Sequence, residues 1–194
     1  VFFDDVRVSK SNVIGEVDHG WDVAKYLLEF ERGGSAYSAG LKIRAKEIEA
    51  HARSEEAGRQ SLLERGDFGQ RLARAMIRID VLEVLELKLL SSAGRGESVG
   101  PMSSLMKIMG TELAQHLTEL ALEAAGASGT VFQPHPTRPG AEIPGYEPPA
   151  DGYVSGGSWQ AIAPLRYLNE RAGSIYAGSN EVQRNILAKA VLGL

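Results

Sequence analysis

Two stretches of this 194-residue chain carry residues whose types and spacing suit chemistry. The first closes the chain, where Ile175 to Leu194 read IYAGSNEVQRNILAKAVLGL. A turn of small residues, Ala177-Gly178-Ser179-Asn180, feeds a helix there. Helix N-termini present unpaired backbone N–H groups and a partial positive charge, so such a turn suits a phosphate, a carbonyl or a developing oxyanion. The same residues also suit an ordinary surface helix capped by Ser179. The second stretch is Glu29-Phe30-Glu31-Arg32. Glu31 falls in helical register with Ala24, Leu27, Leu28 and Ser35, a mainly apolar line on which a lone surface carboxylate is less expected. The plainer alternative is a solvated patch formed by Glu29, Glu31 and Arg32. There is no cysteine, and His19, His51, His116 and His135 are too scattered to form a ligand pair by local spacing, so no metal site is expected.

The elements that must position these residues are mostly helices. Val1 to Val8 mix β-branched and aromatic residues and read as a strand, followed by a turn-rich stretch to Gly20. From about His19 to Ser54 apolar residues recur at helical spacing through Trp21, Ala24, Leu28, Ala36, Ala39 and Ile43, which predicts one long helix. Gly33-Gly34 in its middle costs roughly 1 kcal/mol per glycine against alanine, and so marks a bend, a close helix contact or a ligand's approach to the backbone. A second helix is expected over Phe68 to Ala93, with Leu72, Met76, Ile79, Leu82, Val84, Leu85 and Leu89 on a broad apolar face. A third follows Pro101, from Met102 to Ala125. The last helices cover about Ala161 to Ser174 and Asn180 to Leu192, the latter packing through Val182, Ile186, Leu187, Val191 and Leu192. Wide apolar stripes on four or five helices imply an all-α, antiparallel bundle preceded by a short β segment. Residues 127–159 break the pattern with Pro134, Pro136, Pro139, Pro144, Pro148 and Pro149, and read as a lid, a partner-binding segment or a disordered stretch.

The net charge of −4 leaves no basic stripe to follow a phosphate backbone, so nucleic acid is not an expected partner. No apolar run has the length of a membrane span, and the cytoplasm is the default location.

The closing string resembles the C-terminal motif of the acyl-CoA dehydrogenase family, a segment like IYGGTNEIQRNIIAKRVLG. The opening string, VFFDDVRVSKSNVIGEVDHGWDVAKYLLEFER, is similar to the family's passage from its middle β-domain into its C-terminal helical domain. Similarity runs along most of the chain and is weakest from roughly Ala127 to Trp159. In flavour it is nearest to the branch of the pimeloyl-CoA dehydrogenase large subunit and its actinobacterial steroid-degrading relatives. The resemblance implies that residues 1–18 end a middle β-domain, that 19–194 form the C-terminal helical bundle, and that the chain is the C-terminal part of a longer enzyme, inactive by itself.

The resemblance further implies FAD as cofactor, an acyl-CoA substrate, an electron-transfer acceptor, and a homo- or hetero-oligomer, dimer or tetramer. Family members remove the α-proton of the thioester while the β-hydride passes to the flavin. In medium-chain members the base follows the tyrosine of the closing motif, but here that position is Ala177, which can offer only its backbone N–H to the thioester carbonyl. Other branches carry the base on the first long helix, as the glutamate of an ER pair, which here is Glu31 beside Arg32, with Glu29 the weaker candidate. Cofactor contacts are implied at Tyr176, Gly178, Ser179 and Glu181. Glu123 with Gly126 matches a QxxGG loop that holds FAD across a subunit boundary, though glutamate replaces the glutamine and the second glycine is lost. Asp67-Phe68-Gly69 keeps a trace of a segment that grips the FAD pyrophosphate. The alternative reading is a non-catalytic subunit that completes a partner's FAD site.

Overall fold

A computed structural model describes residues 2–33, 36–53, 61–97, 100–133 and 155–194, with the backbone alone at 29–33. The expected bundle is present. Its helices are α1 (Gly20–Gly33), α2 (Tyr37–Arg53), α3 (Phe68–Gly94), α4 (Met102–Ala125), α5 (Ser158–Glu170) and α6 (Asn180–Leu187). A 3₁₀ turn, Arg171–Ser174, joins α5 to the closing turn, and a π turn, Ala188–Leu192, ends α6. Helix α4 is central: α1, α2, α3, α5 and α6 all pack against it. It starts at Pro101 and ends at Gly126, whose φ of 58° suits glycine, so both ends fall where the sequence predicts them.

Three expectations change. Helix α1 stops at Gly33 and α2 begins at Tyr37, so the long helix expected over His19 to Ser54 is two, divided at the glycine pair. The opening segment, expected as a strand, pairs with nothing, and no strand occurs among the described residues. Without a neighbour to close the N–H···O ladder, an extended segment is not a strand. Trp159, placed in the long loop by the sequence, belongs to α5, while residues 134–154 of that loop lie outside the described residues.

The core is made where three helices meet. Leu72, Ile79, Leu82 and Leu89 of α3 face Leu41, Ala45 and Ile48 of α2 and Met106, Leu113, Leu117 and Leu120 of α4. Each fully buried side chain of this size is worth about 1.5–3 kcal/mol. The buried line of α2 is Ser38, Leu41, Ala45, Ile48 and Ala52, whereas Ala36, Ala39 and Ile43 are exposed. Val84, expected in the core, is 66% exposed and lies with Ile77, Val81 and Leu87 on a second apolar stripe, which has no partner within the described chain. At 100° per residue Val84 stands about 200° from Leu82, so one helix cannot bury both against the same neighbour.

Glycines set two close approaches. A Cβ at Gly110 would collide with the ring of Tyr37, so glycine lets the start of α2 lie against α4. Asp67-Phe68-Gly69 serves the same purpose at the start of α3: Phe68 is core, and a Cβ at Gly69 would strike the carbonyl oxygen of Leu63.

His51 of α2 stacks on Trp159 of α5, with ring centroids 4.0 Å apart. Burial lowers the pKa of His51, with Glu47 opposing the shift. A histidine whose folded pKa is depressed contributes stability that is complete above its ordinary value of about 6.5 and is lost as pH falls through that value. Acidification should therefore loosen the α2–α5 contact, read as a Trp159 fluorescence change with a midpoint below about pH 6.5. The transition should vanish in His51→Gln, and a wild-type signal flat across that range would show that the stack is indifferent to charge.

Candidate functional site at the closing turn

The closing turn is fixed from inside the bundle. Arg171 stacks on Tyr167 and donates from Nη2 to Gln115 O at 3.1 Å and Thr118 Oγ1 at 3.0 Å, while Gln115 Nε2 donates to Glu170 O at 3.1 Å and Ser174 Oγ at 3.0 Å. The 3₁₀ turn is thus tied to α4 on both sides. Tyr176 N–H donates to Ala172 O at 3.0 Å, after which Ala177 and Gly178 take φ of 55° and 80°. Left-handed geometry at a non-glycine residue costs on the order of 1–2 kcal/mol, and the surroundings must hold it.

Gln183 is the holder. It is 0% exposed and its Nε2 donates to Gly178 O at 3.2 Å and Ala177 O at 3.4 Å. In a planar trans peptide the C=O of one residue and the N–H of the next point in opposite directions. With the carbonyls of Ala177 and Gly178 turned in to Gln183, the N–H groups of Gly178 and Ser179 turn outward. Neither these two nor the N–H of Ala177 has a hydrogen-bond partner among the described residues. Ser179 caps α6, its Oγ accepting from Val182 N–H at 3.4 Å, as its residue type predicts. Glu181, exposed, has its carboxyl held below the usual range, first by its own backbone N–H and then by the Ser179 hydroxyl.

Helix α6 faces α4 in the opposite sense from the one expected. Its buried residues are Asn180 and Gln183, while Val182, Val191 and Leu192 are exposed and Ile186 and Leu187 are half-buried. The reason lies on α4, which offers polar groups at this contact: Lys107 Nζ donates to Asn180 Oδ1 at 2.8 Å, and Asn180 Nδ2 donates to Thr111 Oγ1 at 3.1 Å. Arg184 pairs with Glu112 beside them.

A cleft of about 280 Å³ opens next to the turn, lined by Tyr37, Gly40, Arg44, Thr111, Glu170 and Tyr176. Arg44 Nη1 donates to Glu170 Oε1 at 2.6 Å across it. Tyr37 marks the start of α2, and its hydroxyl pKa is raised by burial, then by Tyr176 and Glu86. The start of α2 is capped from another helix: Glu86 of α3, 8% exposed, accepts from Tyr37 N–H at 2.7 Å, from Ser38 N–H at 3.1 Å and from the Ser38 hydroxyl.

The candidate residues named from the sequence fall into three places. Tyr176, Ala177, Gly178, Ser179 and Glu181 are together at the turn. Glu31 and Arg32 occupy the last turn of α1, which packs on α4, and their side chains, like that of Glu29, lie outside the described residues. Glu123 and Gly126 sit at the far end of α4, and with 1.5 Å of rise per residue Glu123 is roughly 18 Å along the helix from Thr111. One chain therefore does not bring Glu123 and Gly126 to the closing turn. Glu123 is moreover engaged, both of its oxygens accepting from Arg71 Nη2 at 2.7 Å. Sequence reasoning passed over Lys107, Gln183 and Glu86. Lys107 alone left a signal, a single cation inside the run Leu105-Met106-Lys107-Ile108-Met109.

Residues 18–192 match the family model described as acyl-CoA dehydrogenase, C-terminal domain. The chain belongs to the acyl-CoA dehydrogenase family. Among the family's members, acyl-CoA dehydrogenase IpdE1 of Mycobacterium tuberculosis is 31% identical over 194 residues, covering 100% of this chain and 43% of that protein. Acyl-CoA dehydrogenase FadE26 of the same organism is 28% identical, covering 100% of this chain and 44% of its own length. The solved ChsE4-ChsE5 complex from Mycobacterium tuberculosis superposes with a TM-score of 0.72 at 28% identity, over 100% of this chain and 45% of that one. An acyl-CoA dehydrogenase from Geobacillus kaustophilus shares the fold, with a TM-score of 0.75 at 22% identity, over 100% of this chain and 44% of that one. The chain thus spans less than half the length of the relatives it matches. The acyl-CoA dehydrogenase family is one of FAD-dependent oxidoreductases, and the closing turn fits an acceptor-rich cofactor through its outward N–H groups, while Glu123, held by Arg71, does not. No helix of the described residues is long and apolar enough to cross a membrane.

Proposed function

We propose that this chain is the C-terminal domain, with residues 1–18 the end of a middle β-domain, of an enzyme that introduces an α,β double bond into an acyl-CoA thioester. The observation that carries this reading is the closing turn itself, where the N–H groups of Gly178 and Ser179 are turned outward by Gln183 and, with that of Ala177, have no partner among the described residues. Donors already aimed at a carbonyl need no reorganisation when negative charge develops on it, and one such donor is typically worth about 10²–10³ in rate. The Ala177 N–H takes the thioester carbonyl, which acidifies the α-proton. Glu31, at the end of α1, accepts that proton on its carboxylate, and Arg32 beside it sets the local charge. FAD, when bound, supplies the acceptor for the β-hydride. Tyr176, Gly178, Ser179 and Glu181 would hold it from this chain, with Glu123 and Gly126 reaching it only from a neighbouring subunit.

The exposed stripe of Ile77, Val81, Val84 and Leu87 supports assembly with a second subunit, identical or related. A second reading, in which the chain is a non-catalytic subunit completing a partner's flavin site, is favoured by Ala177 in the closing motif and by the closure of Glu123 onto Arg71. One experiment separates the two. The full-length protein, expressed alone and with candidate partner subunits, should carry flavin absorbance that a panel of acyl-CoA thioesters bleaches. A preparation colourless in every combination removes the enzyme reading.

A further inference from the structure

The core of α4 contains a charge that packing alone does not ask for. Lys107 is 2% exposed, between Met106 and Ile108 in an otherwise apolar turn, and no carboxylate lies within ion-pair distance of it among the described residues. Burying an ammonium costs several kcal/mol unless it is paired. A methionine of the same length would fill the space without that cost. The ammonium makes one hydrogen bond, to Asn180 Oδ1 at 2.8 Å. Asn180 is itself 2% exposed, and its amide is oriented unambiguously, because Nδ2 donates to Thr111 Oγ1 while the Thr111 hydroxyl donates to Lys107 O at 2.8 Å. The three side chains form a hydrogen-bonded chain between α4 and the first residue of α6, which the Thr111 hydroxyl ends on the backbone carbonyl of Lys107. Next to it Gln183 holds the carbonyls of the closing turn. Lys107 therefore grips the helix that carries Gln183, and Gln183 sets the peptide planes whose N–H groups face outward. A buried cation behind a helix N-terminus also adds to that terminus's positive potential.

We propose that Lys107 is a positioning residue of the closing turn: its buried ammonium anchors Asn180, and through α6 and Gln183 it holds the Gly178 and Ser179 N–H groups in their outward, ligand-ready geometry. This rests on the dehydrogenase reading for what the turn binds, but not for how the turn is held. A methionine at this site preserves shape and removes only the charge.

The test is amide hydrogen exchange on the full-length protein, followed by mass spectrometry of peptides covering 175–187, with peptides from 72–89 of α3 as control. Lys107→Met should speed exchange of the hydrogen-bonded amides flanking the turn, Ile175 and Tyr176 before it and those from Val182 onward in α6, by about tenfold, the scale of one lost charge-assisted hydrogen bond, with the α3 peptides unchanged. Asn180→Ala should do the same, and Lys107→Met combined with Asn180→Ala should add little to either alone. Asn180→Asp gives the ammonium a carboxylate and should keep or increase protection, which guards against a Lys107→Met protein that simply fails to fold. Unchanged exchange at the turn in Lys107→Met and Asn180→Ala overturns the proposal, as does a rise spread equally over α3. If flavin is bound, acyl-CoA affinity should weaken in Lys107→Met and in Asn180→Ala, and stay near the wild-type value in Asn180→Asp. A wild-type protein without flavin ends the dehydrogenase reading and leaves the exchange result standing.

Discussion

Glu31→Gln in the full-length protein is expected to abolish acyl-CoA-dependent flavin bleaching while leaving the flavin bound. Glutamine keeps the size and hydrogen-bonding reach of the side chain but cannot accept the α-proton. A correctly placed base is worth about 10²–10⁴ in rate, and since Ala177 offers a methyl group where other branches place a carboxylate, the closing motif cannot compensate. Reductive rates should fall by that factor with the visible flavin spectrum and the melting temperature unchanged. The measurement is single-turnover bleaching under anaerobic conditions with the thioester that reduces the wild type fastest. Unchanged turnover would move the role to Glu29 or to another subunit. Because only the chemistry is removed, acyl-CoA should still perturb the flavin spectrum of the variant on binding.

Glu86→Ala is expected to cost roughly 3–5 kcal/mol of stability, the range for stripping a buried charge from the groups it pairs with. Glu86 receives two backbone N–H groups and one hydroxyl from the first residues of α2. Those N–H groups belong to the set that no helix can satisfy internally, and each costs about 1–3 kcal/mol if left buried without a partner. The carboxylate also opposes the positive end of the α2 dipole. For a chain of this size the loss lowers the melting temperature by on the order of 10 °C. Glu86→Gln retains one acceptor oxygen and should lose less. A shift of under about 2 °C in both variants would mean that solvent satisfies the cap equally well. The cap also fixes where α2 begins.

The helices were legible because their signals are local. Pro101 and Gly126 bracket α4 where the residue types require it, and α3 starts at Phe68, where the apolar periodicity begins. The break between α1 and α2 was only half legible: a glycine pair weakens a helix without saying whether it bends or stops. What starts a second helix at Tyr37 is the cap from Glu86, 48 residues from Ser38 in the chain. The closing motif likewise announced a turn and a capped helix. Which side of α6 faces inward was not visible, since its apolar residues argued for one side and Lys107 with Thr111, about 70 residues away, draw in the other.

Periodicity and capping residues therefore determine by themselves that this is a helical domain, because 3.6-residue spacing and helix-end chemistry depend on neighbours a turn or two apart, and the two terminal motifs carry the resemblance to the acyl-CoA dehydrogenase family. Only the tertiary structure decides that Val84 is outside and Glu86 inside, that Gln183 turns the N–H groups of Gly178 and Ser179 outward, and that a lysine sits beneath them. Burial and buried hydrogen bonds are properties of contacts between distant segments, so even where a buried group stands out in its own sequence, as Lys107 does, nothing nearby names the partner desolvated with it.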